Sequence, residues 1–166
     1  MKNSSITDVM RQADELTSLG QADEAVQCYQ QWLTAVAEDE LPYQYIAWFN
    51  MGVLLRSLGQ IDEAITAYQT ARLLKPDFYQ AAVNLGLAQE AKGMNEAAIQ
   101  TWLAALQPID AQTTLLNHLG RCLESMRQFQ QAEAMLERSL LLNPKQPDAI
   151  QHFLPFTSKT MSMAYH

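Results

Sequence analysis

The stretch Tyr45–Asp77, YIAWFNMGVLLRSLGQIDEAITAYQTARLLKPD, decides the fold, because it holds two amphipathic helices and the signals that separate them. Trp48, Met51, Gly52 and Leu55 stand at i, i+3, i+4 and i+7, one face of a helix. Leu58-Gly59 predicts its end, since glycine accepts the left-handed conformation of a C-terminal cap. Asp62 and Glu63 open a second helix, where their charges suit the positive end of the dipole. Its apolar stripe runs through Ala64, Ile65, Tyr68, Ala71 and Leu74, and Pro76 stops it. Gly52 and Ala64 are small where the two helices would cross, so the backbones can come close. Trp48 and Tyr68 are large where a gap would otherwise open.

The pattern recurs along the chain. Gly52, Gly86 and Gly120 are each 34 residues apart, and so are Ala64, Ala98 and Ala132. This resembles the tetratricopeptide repeat: Trp48, Met51-Gly52, Ala64, Tyr68, Ala71 and Pro76 meet the family positions, with Leu55 in place of the usual tyrosine. Repeats are expected at residues 6–39, 45–78, 79–112 and 113–146. In the first, Gly20 to Ala25 matches Gly59 to Ala64 and Tyr29 sits where Tyr68 does. There Val9 and Ala13 replace the tryptophan and the glycine, a departure expected of an end repeat. The step from Ala25 to Ala64 is 39 residues, and the excess falls in Glu38-Asp39-Glu40-Leu41-Pro42. That loop reads as a solvated acidic connector in preference to a docking site.

Ala82, Leu85, Gly86, Ala98, Trp102 and Ala105 mark the third repeat, but Pro108 comes two residues early, so its second helix is expected to end early. Leu116, Leu119-Gly120, Leu123, Ala132, Leu136 and Pro144 mark the fourth. Asp148 predicts a short capping helix over 147–154, with Ile150, Phe153 and Leu154 covering the last repeat, and 155–166 follows as a tail. So small a cap predicts self-association or a covering partner at this end. The resemblance implies an all-α, right-handed superhelical solenoid of four helix-turn-helix repeats plus that capping helix.

Composition narrows the function. The net charge is −7, and residues 1–44 hold two basic against eight acidic residues, leaving the remainder nearly neutral. No basic stripe of a nucleic-acid binder is present, and attraction to an anionic membrane is disfavoured for the same reason. Cys28 and Cys122 lie on helices beside apolar residues and read as small buried hydrophobes. The N-terminus lacks an apolar signal region, and no apolar run reaches membrane-spanning length, so a cytoplasmic location is expected. No phosphate-binding loop, nucleophile elbow or zinc-helix motif occurs, and His118, His152 and His166 show no metal-ligand spacing. The sequence thus predicts a chain that is not an enzyme and holds neither cofactor nor metal.

Helix geometry locates a binding surface. On the first helix of a repeat, places four, seven, eight and eleven face the second helix, and places two, five, six and nine point the other way. In tetratricopeptide repeats that second set lines the concave groove. It comprises Ile46, Phe49, Asn50 and Val53, then Gln80, Val83, Asn84 and Leu87, then Thr114, Asn117, His118 and Arg121. Asn50 and Asn84 are the leading candidates, because an amide offers both donor and acceptor to a peptide bond. His118 holds the same register in the fourth repeat and Arg11 in the first. Phe49 reads either as packing against a neighbouring repeat or as an aromatic anchor, and Trp32, Trp48 and Trp102 read as core. Chaperone-tail clamps of this family use paired lysine and arginine here, and this chain does not. The resemblance therefore implies a non-catalytic module that binds an extended segment of a partner protein. A second reading follows from the repeated asparagine and from LLLNPKQPDAIQHF, which is similar to the repeat-to-catalytic junction of SPINDLY-like O-linked N-acetylglucosamine transferases. On that reading the chain is a detached or truncated arm that presents substrates. A homo-oligomeric scaffold is the third.

Overall fold

A computed structural model of the chain describes residues 4–106 and 109–147. Among them are eight α-helices, one 3-10 turn and no strand. The helices are α1 (Ile6–Ser18), α2 (Ala22–Ala35), α3 (Gln44–Ser57), α4 (Ile61–Leu74), α5 (Tyr79–Ala91), α6 (Asn95–Ala104), α7 (Ile109–Ser125) and α8 (Phe129–Leu142). The chain divides into two compact units, Met1–Lys92 and Gly93–His166. The expected capping helix and tail, 147–166, lie outside the described residues apart from Pro147.

In the first unit the alternation of small and large residues sets the packing. Ala25, Ala47, Ala64, Ala67, Ala71, Ala81 and Ala88 are all buried, and Val9, Tyr29, Trp32, Met51, Leu55, Tyr68 and Leu85 fill the space between them. The tightest approach is at Gly52, where an added Cβ would stand 2.7 Å from Tyr68 Cε1. The tyrosine ring, more than Ala64, is what Gly52 makes room for. In the second unit Gly120 does the same for Leu136, whose Cγ would lie 2.7 Å from such a Cβ. Trp102 is fully enclosed and Trp32 buried, whereas Trp48 is only half-buried at the edge of the core. The expectation that all three are core holds for two of them.

Helix ends follow local chemistry. Gly59 ends α3 with φ +78°, and Gly20 and Gly93 hold the matching places after α1 and α5. Arg127 occupies that place after α7 with φ +60°, a conformation in which its Cβ crowds the following carbonyl. The helix α6 spans 10 residues against 14 in α2, α4 and α8, as the early Pro108 predicts. The acidic insertion forms a 3-10 turn, Glu38–Tyr43, and is more than a connector. Its Glu40 carboxylate accepts the Ile6 backbone N–H at 3.0 Å, beside the Ser5–Asp8 capping box at the start of α1. Trp32 Nε1 donates to the Ser4 carbonyl at 2.8 Å and holds the same end.

Two substitutions probe these constraints by denaturant midpoint. Gly52→Ala is expected to destabilise by about 1–3 kcal/mol, because the ring it would strike is itself packed on Phe49. Arg127→Gly is expected to stabilise by about 1 kcal/mol through relief of the left-handed backbone.

Candidate functional site

The faces nominated by the sequence fall on α3 and α5 in the first unit and on α7 in the second, and each unit is taken by itself. On α3, Ile46, Phe49 and Asn50 are half-buried and Val53 is 37% exposed. On α5, Gln80 is exposed while Val83, Asn84 and Leu87 are half-buried. The two faces adjoin, because the Phe49 ring meets Phe78, the residue before α5, edge-on at 5.0 Å. Phe49 also lies 5.9 Å from the Tyr68 ring, and Phe78 takes Tyr45 at 5.1 Å. Phe49 is thus a packing residue, seated in an aromatic cluster that the sequence reading missed.

The two asparagines differ in what they do. Asn50 Nδ2 donates to the Tyr29 hydroxyl at 3.2 Å, joining α3 to α2. Burial pushes the Tyr29 hydroxyl pKa up, and the bond from Asn50 opposes that shift. Asn84 Nδ2 instead donates to the Gln80 carbonyl of its own helix at 3.0 Å. The Tyr68 hydroxyl, sealed from solvent, has no hydrogen-bond partner. Burial pushes its pKa up to about 12, against the pull of Arg56, so it stays a neutral donor. In the first repeat, Arg11 is exposed and pairs with Glu15 at 3.2 Å.

On α7 the four nominated residues fall in three different environments. Asn117 belongs to an internal network: its Oδ1 accepts from the buried Ser139 hydroxyl at 2.6 Å, and its Nδ2 donates to Gln146 Oε1 at 2.7 Å. Gln146 Nε2 in turn donates to the Ser139 carbonyl at 3.0 Å and to Asn143 O at 2.9 Å, which ties the turn after α8 to α7. The His118 ring stacks on Trp102 with centroids 5.3 Å apart and planes 20° from parallel. Burial, with Arg121 adding to it, lowers the His118 pKa to about 4, so the ring is neutral near pH 7. Its Nδ1 is buried without a partner. Arg121 and Thr114 are exposed.

Among the described residues no group of histidine, cysteine and carboxylate side chains is arranged to hold a metal. No helix among them is long and apolar enough to cross a membrane. An apolar cleft of about 330 Å³ in the second unit, lined by Ile99, Leu103, Leu119, Leu123, Ala134 and Met135 with two glutamines, contains none of the nominated residues.

A tetratricopeptide repeat family model matches residues 10–72 and 49–112, and a second one matches 113–146. No curated protein sequence matches the chain. Among solved structures, a MamA protein is 21% identical with a TM-score of 0.77, over 92% of this chain and 80% of that one. YrrB, described as a TPR protein with an unusual peptide-binding site, is 18% identical with a TM-score of 0.70, over 84% and 69%. PilF of Pseudomonas aeruginosa is 19% identical with a TM-score of 0.77, over 94% and 69%. At these identities the likeness is one of fold, an all-α tetratricopeptide solenoid.

The buried imidazole sets a pH dependence. Between pH 6.5 and about 4 the unfolded chain binds a proton at His118 that the folded chain refuses, so stability falls as pH is lowered through this window. Urea midpoints across the window are expected to show a smaller slope for His118→Gln than for wild type. An unchanged slope would assign the loss to other groups.

Proposed function

We infer that the chain, which belongs to the tetratricopeptide repeat family, is a protein-interaction module that takes an extended peptide segment of a partner on the groove faces of its first helices. The observation that carries this reading is the α3–α5 face of the first unit. There apolar Ile46, Val53, Val83 and Leu87 stand beside Gln80 and Asn84, whose amides keep hydrogen-bonding capacity. Apolar contact supplies affinity, and the amides fix the register of a main chain that lacks regular structure. A peptide here is expected to be uncharged and apolar at its centre.

On α7 the same reading gives the ligand Arg121, with the outer edge of the His118 ring as a neutral neighbour. Asn117 is engaged by Ser139 and Gln146 and contributes to the wall without offering its amide. An acidic ligand group would therefore meet Arg121 and not a second cation. The solved structure of YrrB, with its peptide-binding site, makes the use of this fold for peptides concrete. The transferase-arm reading asks Asn50 and Asn84 to face a substrate together. Asn50 already gives one amide hydrogen to Tyr29 and Asn84 one to Gln80, so each would meet a substrate with its remaining N–H and Oδ1. Self-association through 147–166 concerns residues outside those described, except Pro147. The module is proposed to act without catalysis or cofactor, in the cytoplasm.

Peptide display on the immobilised wild-type chain tests the groove. Selected peptides are expected to lose about tenfold or more in affinity on Val53→Asp, which puts a charge on the apolar centre of the face, equal to ~1.4 kcal/mol. Peptides that bind the variant as tightly as wild type would place recognition elsewhere.

A further inference from the structure

We propose that the edge of the first unit where the 3-10 turn Glu38–Tyr43 leads into α3 is a second interaction surface, separate from the groove, for a basic amphipathic segment of a partner protein. The α4–α5 turn crosses from one repeat to the next in four residues, Lys75–Phe78, whereas Val36–Tyr43 takes eight for the same crossing. The excess is more than connection requires, and its apolar side chains are not buried. Leu41 is 47% and Tyr43 46% exposed.

These two side chains do not stand alone. The helices α3 and α5 both start at this edge, where the Tyr45 ring on α3 meets Phe78, just before α5, at 5.1 Å. Both rings are half-buried, so they carry the apolar surface from the 3-10 turn toward the end of α4, where Leu74 is 44% exposed. Apolar surface gathered in this way marks a contact site, as single exposed residues do not. The turn also holds its shape by itself. Glu40 N–H donates to the Ala37 carbonyl at 3.0 Å, and the Glu40 carboxylate accepts the Ile6 N–H at 3.0 Å. The Leu41 carbonyl accepts from the Gln44 N–H, and Pro42 fixes φ between Leu41 and Tyr43. Both side chains are therefore displayed on a braced backbone, and binding orders little that is not already fixed.

Charge selects the partner. Glu38 and Asp39 open the same turn, both exposed, and neither joins an ion pair among the described residues. Residues 1–44 hold two basic against eight acidic residues, and Arg11, one of the two, is already paired with Asp8 and Glu15. The segment that fits brings apolar side chains to Leu41 and Tyr43, and lysine or arginine to Glu38 and Asp39.

Peptide display on the immobilised Val53→Lys chain, whose added cation repels basic peptides from the groove, tests the edge by itself. Selected peptides are expected to carry lysine or arginine beside leucine or aromatic residues. In fluorescence titration they are expected to weaken about tenfold or more when Leu41→Ser and Tyr43→Ser are added. Glu38→Gln with Asp39→Asn is expected to weaken them about threefold or more, and to flatten their loss of affinity between about 50 and about 300 mM salt. All four side chains are exposed, so Tm is expected to stay unchanged in both pairs. Peptides indifferent to the Leu41 and Tyr43 changes, or a selection that yields none, overturn the proposal and leave the groove reading untouched. Peptides that need Leu41 and Tyr43 but ignore both salt and the charge variant overturn the basic partner. A wild-type dimer in sedimentation that Leu41→Ser with Tyr43→Ser dissolves would give the edge to a second copy and overturn the proposal as well.

Discussion

The contact between Gly52 and the Tyr68 ring governs the first unit. Glycine inside a helix costs about 0.5–1 kcal/mol against alanine, while full burial of a large side chain returns about 1.5–3 kcal/mol, so the exchange favours the glycine. With no Cβ at 52, the ring of Tyr68 lies fully enclosed against α3. Once seated, that ring receives Phe49, and Phe49 receives Phe78 at the start of α5. One missing methyl group thus fixes α3 against α4 and passes the constraint to α5. Gly120 and Leu136 repeat the arrangement in the second unit with an aliphatic side chain.

Most of the fold was legible because the repeat states its constraints several times. A single glycine before a helical stripe is ambiguous, but three at equal spacing, each one turn from a buried aliphatic, admit few other readings. What escaped notice were contacts made once. Glu40 caps α1 from 34 residues away, and nothing near Ile6 announces it. Arg127 replaces the glycine of the other turns, and a scan for glycine passes over it. Trp48 holds the family's tryptophan place yet sits half-buried at the margin of the core.

Helical periodicity says which residues share a side of α3, α5 and α7, because direction along a helix is a property of spacing alone, and it does not say what each side chain there touches. Whether an amide on that side is free depends on what the preceding repeat presents to it, and that is a tertiary fact. Asn50 and Asn84 are each followed by an apolar residue and glycine, yet one bonds to the preceding repeat and the other to its own helix. Asn117 looked like a groove residue until Ser139, standing where Ala71 stands in the second repeat, drew it inward.

These differences have one origin. The sixth place of the second and fourth repeats rests on the second-helix aromatic of the repeat before, so the chemistry of that face is chosen by a pair of residues and not by one. Tyrosine below invites a hydrogen bond and can take one amide hydrogen of an asparagine, as Tyr29 does. Tryptophan below offers a flat face and takes a flat partner, as Trp102 takes His118, and the burial this entails strips the imidazole of its charge. Asn84, in the same register of the third repeat, makes its bond within its own helix, and the buried Tyr68 hydroxyl has no partner.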